Sequence, residues 1–424
     1  MESTQRQAAR KLLERMAAKL DLEAEARLDD EIHGSHAPIP EHHQHVLLTG
    51  ATGYLGAFML RELLDETSAR VTCLVRAKDR DEAGQRLQGA LESYQIWHPR
   101  YAARIRPVPG DLGKPLLGLS DADFDALASE VDTIYHVGAV VNLVFPYSFL
   151  RPANVGGTME VLRLAARGRG TRVQLVSTAG VFLSPDHAGQ PAGEDMPVAA
   201  QQLRTGYLQS KWVAEKLAIE ARPRGLPVAV YRPTFIGWHG RTGIYNPKDF
   251  VSGMIAVAVQ TQVSPEIDML ADTVAVDYVS RAIVHLARRD DSLGRNFHLC
   301  SPHPPHWSQV VELLESLLGT SIRRIPYPAW RTALSEARGS LFYRQFASML
   351  PEADGEDDRS LAGQLTRQRF PEFDCRQTEA GLVGTGLQAR ALDREVLSPF
   401  IDHLRRIQES GLESTVPVQL WTRR

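Results

Sequence analysis

Tyr207 and Lys211, in Gly206-Tyr-Leu-Gln-Ser-Lys211, stand four residues apart where a helical stretch begins, so they share one helical face. An ammonium close to a phenol favours the phenolate. It lowers the phenol from its usual value of about 10 and lets the hydroxyl exchange a proton near neutrality. A hydroxyl at the end of a neighbouring strand, Ser177 or Thr178 in Val176-Ser-Thr178, can hold the substrate oxygen in reach of that proton. Side chains alternate along a strand, so only one of the two faces the site. A Tyr and a Lys at this spacing also occur on helices that do no chemistry, and the pair gains meaning from what lies upstream.

Upstream, Val46-Leu-Leu-Thr-Gly50-Ala-Thr-Gly53-Tyr-Leu-Gly56 reads as a strand running into a glycine-rich turn and then a helix. Glycines allow the tight turn and a close approach of backbone to a pyrophosphate, and the helix start supplies N–H donors for its charge. A dinucleotide site at the opening of a βαβ unit is expected. The second strand ends in Cys73-Leu-Val-Arg76-Ala-Lys78, with Arg86 two helical turns further on. A basic residue there accommodates the 2′-phosphate of NADP, where NAD enzymes place Asp or Glu, so NADPH is the expected form. Arg76 as a plain surface residue is the alternative. Asp111, in Pro109-Gly-Asp-Leu112, is placed either to meet the adenine edge or to form a turn.

Short β-branched runs alternate with amphipathic stretches from Val46 onward, the pattern of a parallel sheet covered by helices. Strands are predicted at His45–Thr49, Arg70–Val75, Ile105–Pro107, Thr133–His136, Arg172–Ser177, Pro227–Arg232 and Asn296–Leu299. Helices are predicted at Gly56–Leu64, Asp79–Tyr94, Phe124–Glu130, Gly156–Ala166, Gly206–Ala221 and Asp277–Ala287. The fold class is therefore α/β, a Rossmann-type doubly wound parallel sheet with a smaller, mostly helical C-terminal substrate domain. The expected division is an N-terminal helix and linker over 1–44, a dinucleotide-binding domain over 45–236 plus 269–300, and a substrate domain over 237–268 plus 301–424. Apolar positions from Ala8 to Leu22 suggest the first helix, and the charged run Glu352–Arg359 suggests a solvated loop.

The chain has 424 residues, 43% hydrophobic and 23% charged, which allows two packed domains and excludes a long disordered tract. Its formal net charge of -3 offers no overall field for nucleic acid or anionic lipid, so any anion site is local. Three scattered cysteines, Cys73, Cys300 and Cys375, make no disulfide framework and favour a reducing, cytoplasmic setting. Met1–Leu22 has no continuous apolar core of the signal-peptide kind. The apolar run Met254–Val259 is far shorter than the roughly 20 residues that span a bilayer and reads as a buried helix. His33, His36, His42, His43 and His45 lie together without a nearby cysteine, and no metal is expected.

These motifs together resemble the extended short-chain dehydrogenase/reductases. More narrowly, the chain is similar to the terminal thioester reductase domains of nonribosomal peptide and polyketide synthetases, relatives of the aminoadipate and carboxylic acid reductases. The resemblance runs from about Val46 to Leu286. It is carried by the glycine turn, Cys73–Arg76, Gly110–Leu112, Tyr135-His-Val-Gly-Ala139 with Asn142, Asn154-Val-Gly-Gly-Thr158, Val176–Thr178, Gly206-Tyr-Leu-Gln-Ser-Lys-Trp-Val-Ala-Glu215 and Tyr231-Arg-Pro-Thr234. It implies a catalytic triad of Thr178, Tyr207 and Lys211. Cofactor contacts are implied from Gly50, Thr52, Gly53, Tyr54, Leu55 and Gly56, and from Arg76, Arg86, Asp111 and Leu112. Val137, Gly138, Ala139, Asn154, Pro233 and Thr234 complete the implied set, with Tyr207 and Lys211 touching the nicotinamide ribose side.

The implied reaction is NADPH-dependent reductive release of an acyl or peptidyl thioester from a phosphopantetheinylated carrier protein. The product is an aldehyde, at which the reaction stops or which a second NADPH reduces to an alcohol. An extended reductase acting on a free aldehyde, ketone or acyl-CoA is the alternative, and a non-catalytic NADP-sensing scaffold a more distant one. Asp291-Ser-Leu293 lacks the glycine-rich approach of a phosphopantetheine serine and reads as a turn, so the carrier is expected from an upstream region or another chain. Tyr94, Ile96 and Trp97 offer either anchors for that carrier or core packing.

Overall fold

The computed structural model describes residues 20–34, 44–168, 170–183, 191–199, 203, 205–336, 350 and 371–409. Most of the predicted first helix, the charged run Glu352–Arg359, and His36, His42 and His43 lie outside the described residues.

Seven strands form one sheet: β1 (His45–Thr49), β2 (Arg70–Val75), β3 (Ile105–Pro109), β4 (Thr133–His136), β5 (Arg172–Val176), β6 (Val228–Pro233) and β10 (Asn296–Leu299). Their order is β10-β6-β5-β4-β1-β2-β3, and every pairing is parallel. The strand order, not the strand direction, reverses between β1 and β4, the switch point where ligands of such sheets bind. Register places Thr49 beside His136 and Val176 beside Tyr231, so the strands end along one edge.

Both faces of the sheet are covered, which is why its strands read as continuous apolar runs. Val46, Leu48, Tyr135, Ala229 and Tyr231 point into a core shared with the Tyr54–Glu66 and Val276–Ala287 helices. Leu47, Ile134, Val228 and Val230 point into the opposite core, shared with the Asp121–Glu130, Gly157–Arg167 and Gly206–Ala221 helices. Helix starts follow their caps. Asp79, Ser120 and Thr205 each accept a backbone N–H of the first turn, which moves the predicted Phe124 start back to Asp121.

A third core gathers Trp238, Phe250, Met254, Trp307, Trp330 and Phe400, with the Trp238 and Phe400 rings stacked at 4.5 Å. Met254–Val259 lies in the Phe250–Thr261 helix, whose residues are buried almost throughout. Short parallel pairs complete this region: β7 (Phe235–Ile236) with β9 (Thr273–Val274), and β8 (Val263–Glu266) with β11 (Arg323–Pro326).

Two segments depart from the expected division. Leu22, Ala26, Leu28 and Ile32 are buried in the sheet's second core, and Glu220 of the Gly206–Ala221 helix accepts the Leu28 N–H at 3.1 Å, so this part of the expected linker is packed structure. Leu382, at the end of the Arg376–Leu382 helix, belongs to the first sheet core instead of the substrate domain's core. The short turn Asp290–Ser292 buries Ser292, as a turn reading of Asp291-Ser-Leu293 requires. Among the described residues no helix is long and apolar enough to cross a membrane.

Candidate active site

The glycine turn begins with Gly50 at φ +75°, a conformation open to glycine and strained for other residues. A Cβ on Gly56 would sit 2.1 Å from the Gly50 carbonyl oxygen, so the helix can approach the turn only with glycine there. Gly53 caps the Tyr54–Glu66 helix without a side chain, unlike Asp79, Ser120 and Thr205. The first N–H groups of Tyr54, Leu55 and Gly56 therefore have no capping partner and face the switch point. Thr52 and Gly53 are exposed on the same turn. This is a cradle for a pyrophosphate, and the residues present fit a dinucleotide.

The Tyr54 side chain does not take part. It is buried, with its hydroxyl 2.9 Å from both the Gly237 and Ile244 carbonyl oxygens and its ring edge-on to Phe58 and Tyr94. The expectation of a cofactor contact from Tyr54 is thereby narrowed to its backbone, because helical spacing turns the side chain of position 54 toward the core. Tyr94, Ile96 and Trp97 are partly buried and pack against that same core, in line with the packing reading.

On the other side of the turn, Gly138 lies against Gly50: a Cβ on Gly50 would come within 2.7 Å of the Gly138 Cα. A chain of hydrogen bonds fixes this approach. The Gly138 N–H donates to Thr49 Oγ1 at 3.0 Å, and Thr49 Oγ1 lies 2.8 Å from His136 Nδ1. His136 Nε2 is 3.0 Å from Thr158 Oγ1, whose own hydroxyl donates to the Asn154 carbonyl at 2.7 Å. Since the Thr158 proton is committed to Asn154, His136 carries its proton on Nε2 and accepts from Thr49 at Nδ1. Burial pushes His136 down to about 3, so it stays neutral.

Asn154 continues the chain instead of opening toward a ligand. It is buried; its Oδ1 accepts the Val140 N–H at 2.7 Å, and its Nδ2 donates to the Val140 carbonyl and to Ser210 Oγ at 3.1 and 2.9 Å. Ser210 in turn donates to the Tyr207 carbonyl at 2.8 Å. The Asn154 side chain, expected to touch the cofactor, thus joins the β4 loop to the Gly206–Ala221 helix. Val137 and Ala139 flank Gly138 and remain partly exposed, and Leu112 packs on Gly138, where a Cβ would meet its Cδ1 at 2.6 Å.

Thr178 follows β5, with its hydroxyl 3.5 Å from the Pro233 carbonyl at the end of β6, and Tyr207 and Lys211 lie in the first turns of the Gly206–Ala221 helix, whose Lys211 reaches the end of β5. Ser177 is buried, whereas Thr178 is half-buried, its Oγ1 accepting the Gly180 N–H at 3.1 Å. Lys211 is buried and donates to the Val176 carbonyl at 2.7 Å. Burial, only partly opposed by the Glu215 carboxylate, pushes Lys211 down to about 8. Tyr207 is pushed up to about 12 by burial, the reverse of the lowering expected from its lysine neighbour. The ammonium is committed to the Val176 carbonyl, and among the described residues none is hydrogen-bonded to the Tyr207 hydroxyl, so desolvation decides the direction. A neutral phenol at pH 7 is a proton donor, the form a reduction needs.

Pro233 ends β6, its carbonyl 3.5 Å from Thr178 Oγ1, and Thr234 follows it. The Thr234 hydroxyl donates to Asp272 Oδ1 at 2.8 Å, which also accepts the Ser301 N–H at 2.9 Å, and burial pushes Asp272 up to about 6. Asp111 uses Oδ1 to accept the Gly113 N–H at 2.9 Å, the turn-forming role. Arg76 is exposed past β2, and its carbonyl accepts from the Arg86 guanidinium, which also pairs with Glu82 at 3.8 Å.

A buried polar cluster behind the catalytic helix was not singled out from the sequence. Arg232 donates to Glu215 Oε1 at 2.6 Å and to the Glu194 carbonyl at 2.8 Å, and lies 3.1 Å from His298 Nε2. The Glu194 carboxylate accepts the backbone N–H groups of His298, Gln377 and Thr378, and the Thr378 hydroxyl at 2.7 Å. A charge inside a buried strand, as at Arg232, is the signal that could have pointed to it, while its partners come from distant parts of the chain.

This architecture and site define an NAD(P)-dependent reductase of the short-chain dehydrogenase/reductase type. The model of the family described as "Male sterility protein", an NAD-binding family, matches residues 48–283. The terminal R domain of the myxalamid PKS-NRPS biosynthetic pathway is 39% identical, covers 93% of this chain and 98% of its own, and superposes with a TM-score of 0.82. The reductase domain of a nonribosomal peptide synthetase from Mycobacterium tuberculosis is 26% identical, with 93% and 97% covered and a TM-score of 0.69. A linear gramicidin synthase polypeptide of Brevibacillus parabrevis is 39% identical over 375 residues, 87% of this chain and 7% of that protein. The chain belongs to this NAD-binding family and, within it, to the terminal reductase domains of peptide synthetases. It spans less than a third of the length of the curated relatives that head its matches.

Proposed function

We propose that the protein releases an acyl or peptidyl thioester from a phosphopantetheinylated carrier protein by NADPH-dependent reduction to an aldehyde, with a further reduction to the primary alcohol. Membership among the terminal reductase domains, with 39% identity across nearly all of the myxalamid domain, carries this reading. Thr178, Tyr207 and Lys211, beyond β5 and on the Gly206–Ala221 helix, supply the matching chemistry.

In this reading Gly50, Thr52 and Gly53 with the backbone of Tyr54, Leu55 and Gly56 hold the pyrophosphate. Asp111, Leu112 and the Val137–Ala139 turn line the adenosine and ribose side, and Pro233 and Thr234 border the nicotinamide. Arg76, free of any ion pair among the described residues, and Arg86 receive the 2′-phosphate. NADPH, when bound, supplies hydride to the thioester carbonyl. The Thr178 and Tyr207 hydroxyls hydrogen-bond the oxygen as it becomes negative, and Tyr207 gives it a proton. Lys211, charged below about pH 8, holds the cofactor ribose. The C–S bond of the resulting hemithioacetal then breaks, releasing the carrier thiol and the aldehyde. The same hydroxyls serve a second turnover on that aldehyde. Three free cysteines suit a reducing, cytoplasmic setting.

The test is incubation with NADPH and an acyl chain loaded on a carrier protein, following NADPH loss and identifying the product by mass spectrometry. Aldehyde or alcohol is expected. Consumption of free acyl-CoA or a ketone, with the carrier thioester untouched, refutes the proposal.

A further inference from the structure

Among the described residues five large apolar side chains are exposed, and four of them fall within nine residues: Val141, Val144, Phe145 and Phe149, at 68%, 53%, 40% and 63% exposure. They occupy the loop after β4 and the short Tyr147–Arg151 helix that follows it. The loop is built to present them. Asn142 Oδ1 accepts the N–H groups of Val144 and Phe145 at 2.9 and 2.7 Å, and the Phe145 and Phe149 rings meet edge to face at 4.5 Å.

The same loop abuts the catalytic helix. A Cβ on Gly206 would lie 2.5 Å from the Phe145 carbonyl oxygen, and the Val140 backbone is tied through Asn154 and Ser210 to Tyr207. The loop that carries these side chains therefore meets the helix one residue before Tyr207. From Val137 through Leu150 there is no charged residue. An acidic carrier protein finds no complementary charge here, whereas a hydrocarbon does. Contiguous exposed apolar surface of this kind marks a binding site.

We propose that Val141, Val144, Phe145 and Phe149 form an apolar rail that receives the hydrocarbon part of the acyl chain being released, so that the enzyme selects long, apolar acyl groups. The proposal rests on the thioester-reductase reading and adds the substrate class. The reacting carbonyl sits beside Tyr207 and Thr178, and the acyl chain leaves it along the rail. The carrier thiol leaves on another side.

The experiment compares acetyl and dodecanoyl pantetheine thioesters, free and carrier-borne, with wild type and with the double variant Val141→Asn/Phe149→Ser. The ratio of kcat/KM for dodecanoyl over acetyl should fall about tenfold in the variant, through KM. Calorimetric binding of a dodecyl pantetheine thioether, which cannot be reduced, should weaken by about the same factor. Using a ratio removes any effect on the amount of folded enzyme. An unchanged ratio, or a loss seen only with carrier-borne substrates whatever their length, overturns the rail. If wild type reduces none of the thioesters, the thioester reading fails, while the thioether titration still decides whether the rail binds hydrocarbon.

Discussion

Lys211→Met should make the protein inactive and more stable. The ammonium sits in a buried position with the Val176 carbonyl as its hydrogen-bond partner, and burial takes it from 10.5 to about 8. At about 1.4 kcal/mol for each tenfold change in proton affinity, that displacement corresponds to about 3 kcal/mol of destabilisation. Below about pH 8 both folded and unfolded lysine are charged, so the whole penalty is present. As pH rises from about 8 toward 10.5, the folded lysine is neutral while the unfolded one still binds its proton, and wild type recovers stability. Methionine removes the charge but leaves the Val176 carbonyl without its donor, a loss of about 1 kcal/mol. Urea unfolding at pH 7 should show the variant about 2 kcal/mol more stable with an unchanged denaturant slope, and at pH 10 the advantage should vanish. A variant less stable than wild type at pH 7, or an advantage independent of pH, would refute the assignment of a desolvated catalytic ammonium.

Tyr207→Phe should lower thioester reduction by at least about a hundredfold while NADPH affinity, measured by fluorescence titration, stays within a factor of a few. Reduction by wild type should decline above about pH 8 as Lys211 loses its proton, and a steady-state pH profile will show a single descending limb there. Arg76→Ala should raise the KM for NADPH about tenfold or more and leave that for NADH nearly unchanged; equal effects would remove Arg76 from the phosphate site. Arg232→Leu strands the buried Glu215 and should destabilise the fold by about 3 to 5 kcal/mol, read from chemical denaturation.

The sheet was legible because its strands are buried on both faces and so appear as compact apolar runs bounded by turn residues. The glycine turn and the placing of Tyr207 and Lys211 on the first turns of one helix were legible because both depend on local spacing. What escaped depends on distance along the chain. The role of His136 follows from β1 lying beside β4, which brings Thr49 within reach across 87 positions. Asn154 looked like a ligand-facing residue, yet its amide is consumed by Val140 and Ser210. The Tyr207 phenol was expected low because sequence shows a lysine one turn away, but not where that lysine donates. Leu28 and Ile32 sit in a polar stretch whose composition hid their burial.

The Glu194 carboxylate implies an order of assembly. Its acceptor oxygens are satisfied by His298 from the edge strand and by Gln377 and Thr378, which lie 183 and 184 positions further along. Closing so long a loop is entropically demanding and slow. During synthesis the cofactor half can form while the later residues are still being added, but the sheet's β10 edge stays incomplete until the Arg376–Leu382 helix arrives. A protein shortened ahead of that helix would retain Thr178, Tyr207 and Lys211 and still carry a stranded negative charge at its sheet edge, prone to open and to aggregate. Competence for the chemistry and completion of the fold are thus reached at different points along the chain.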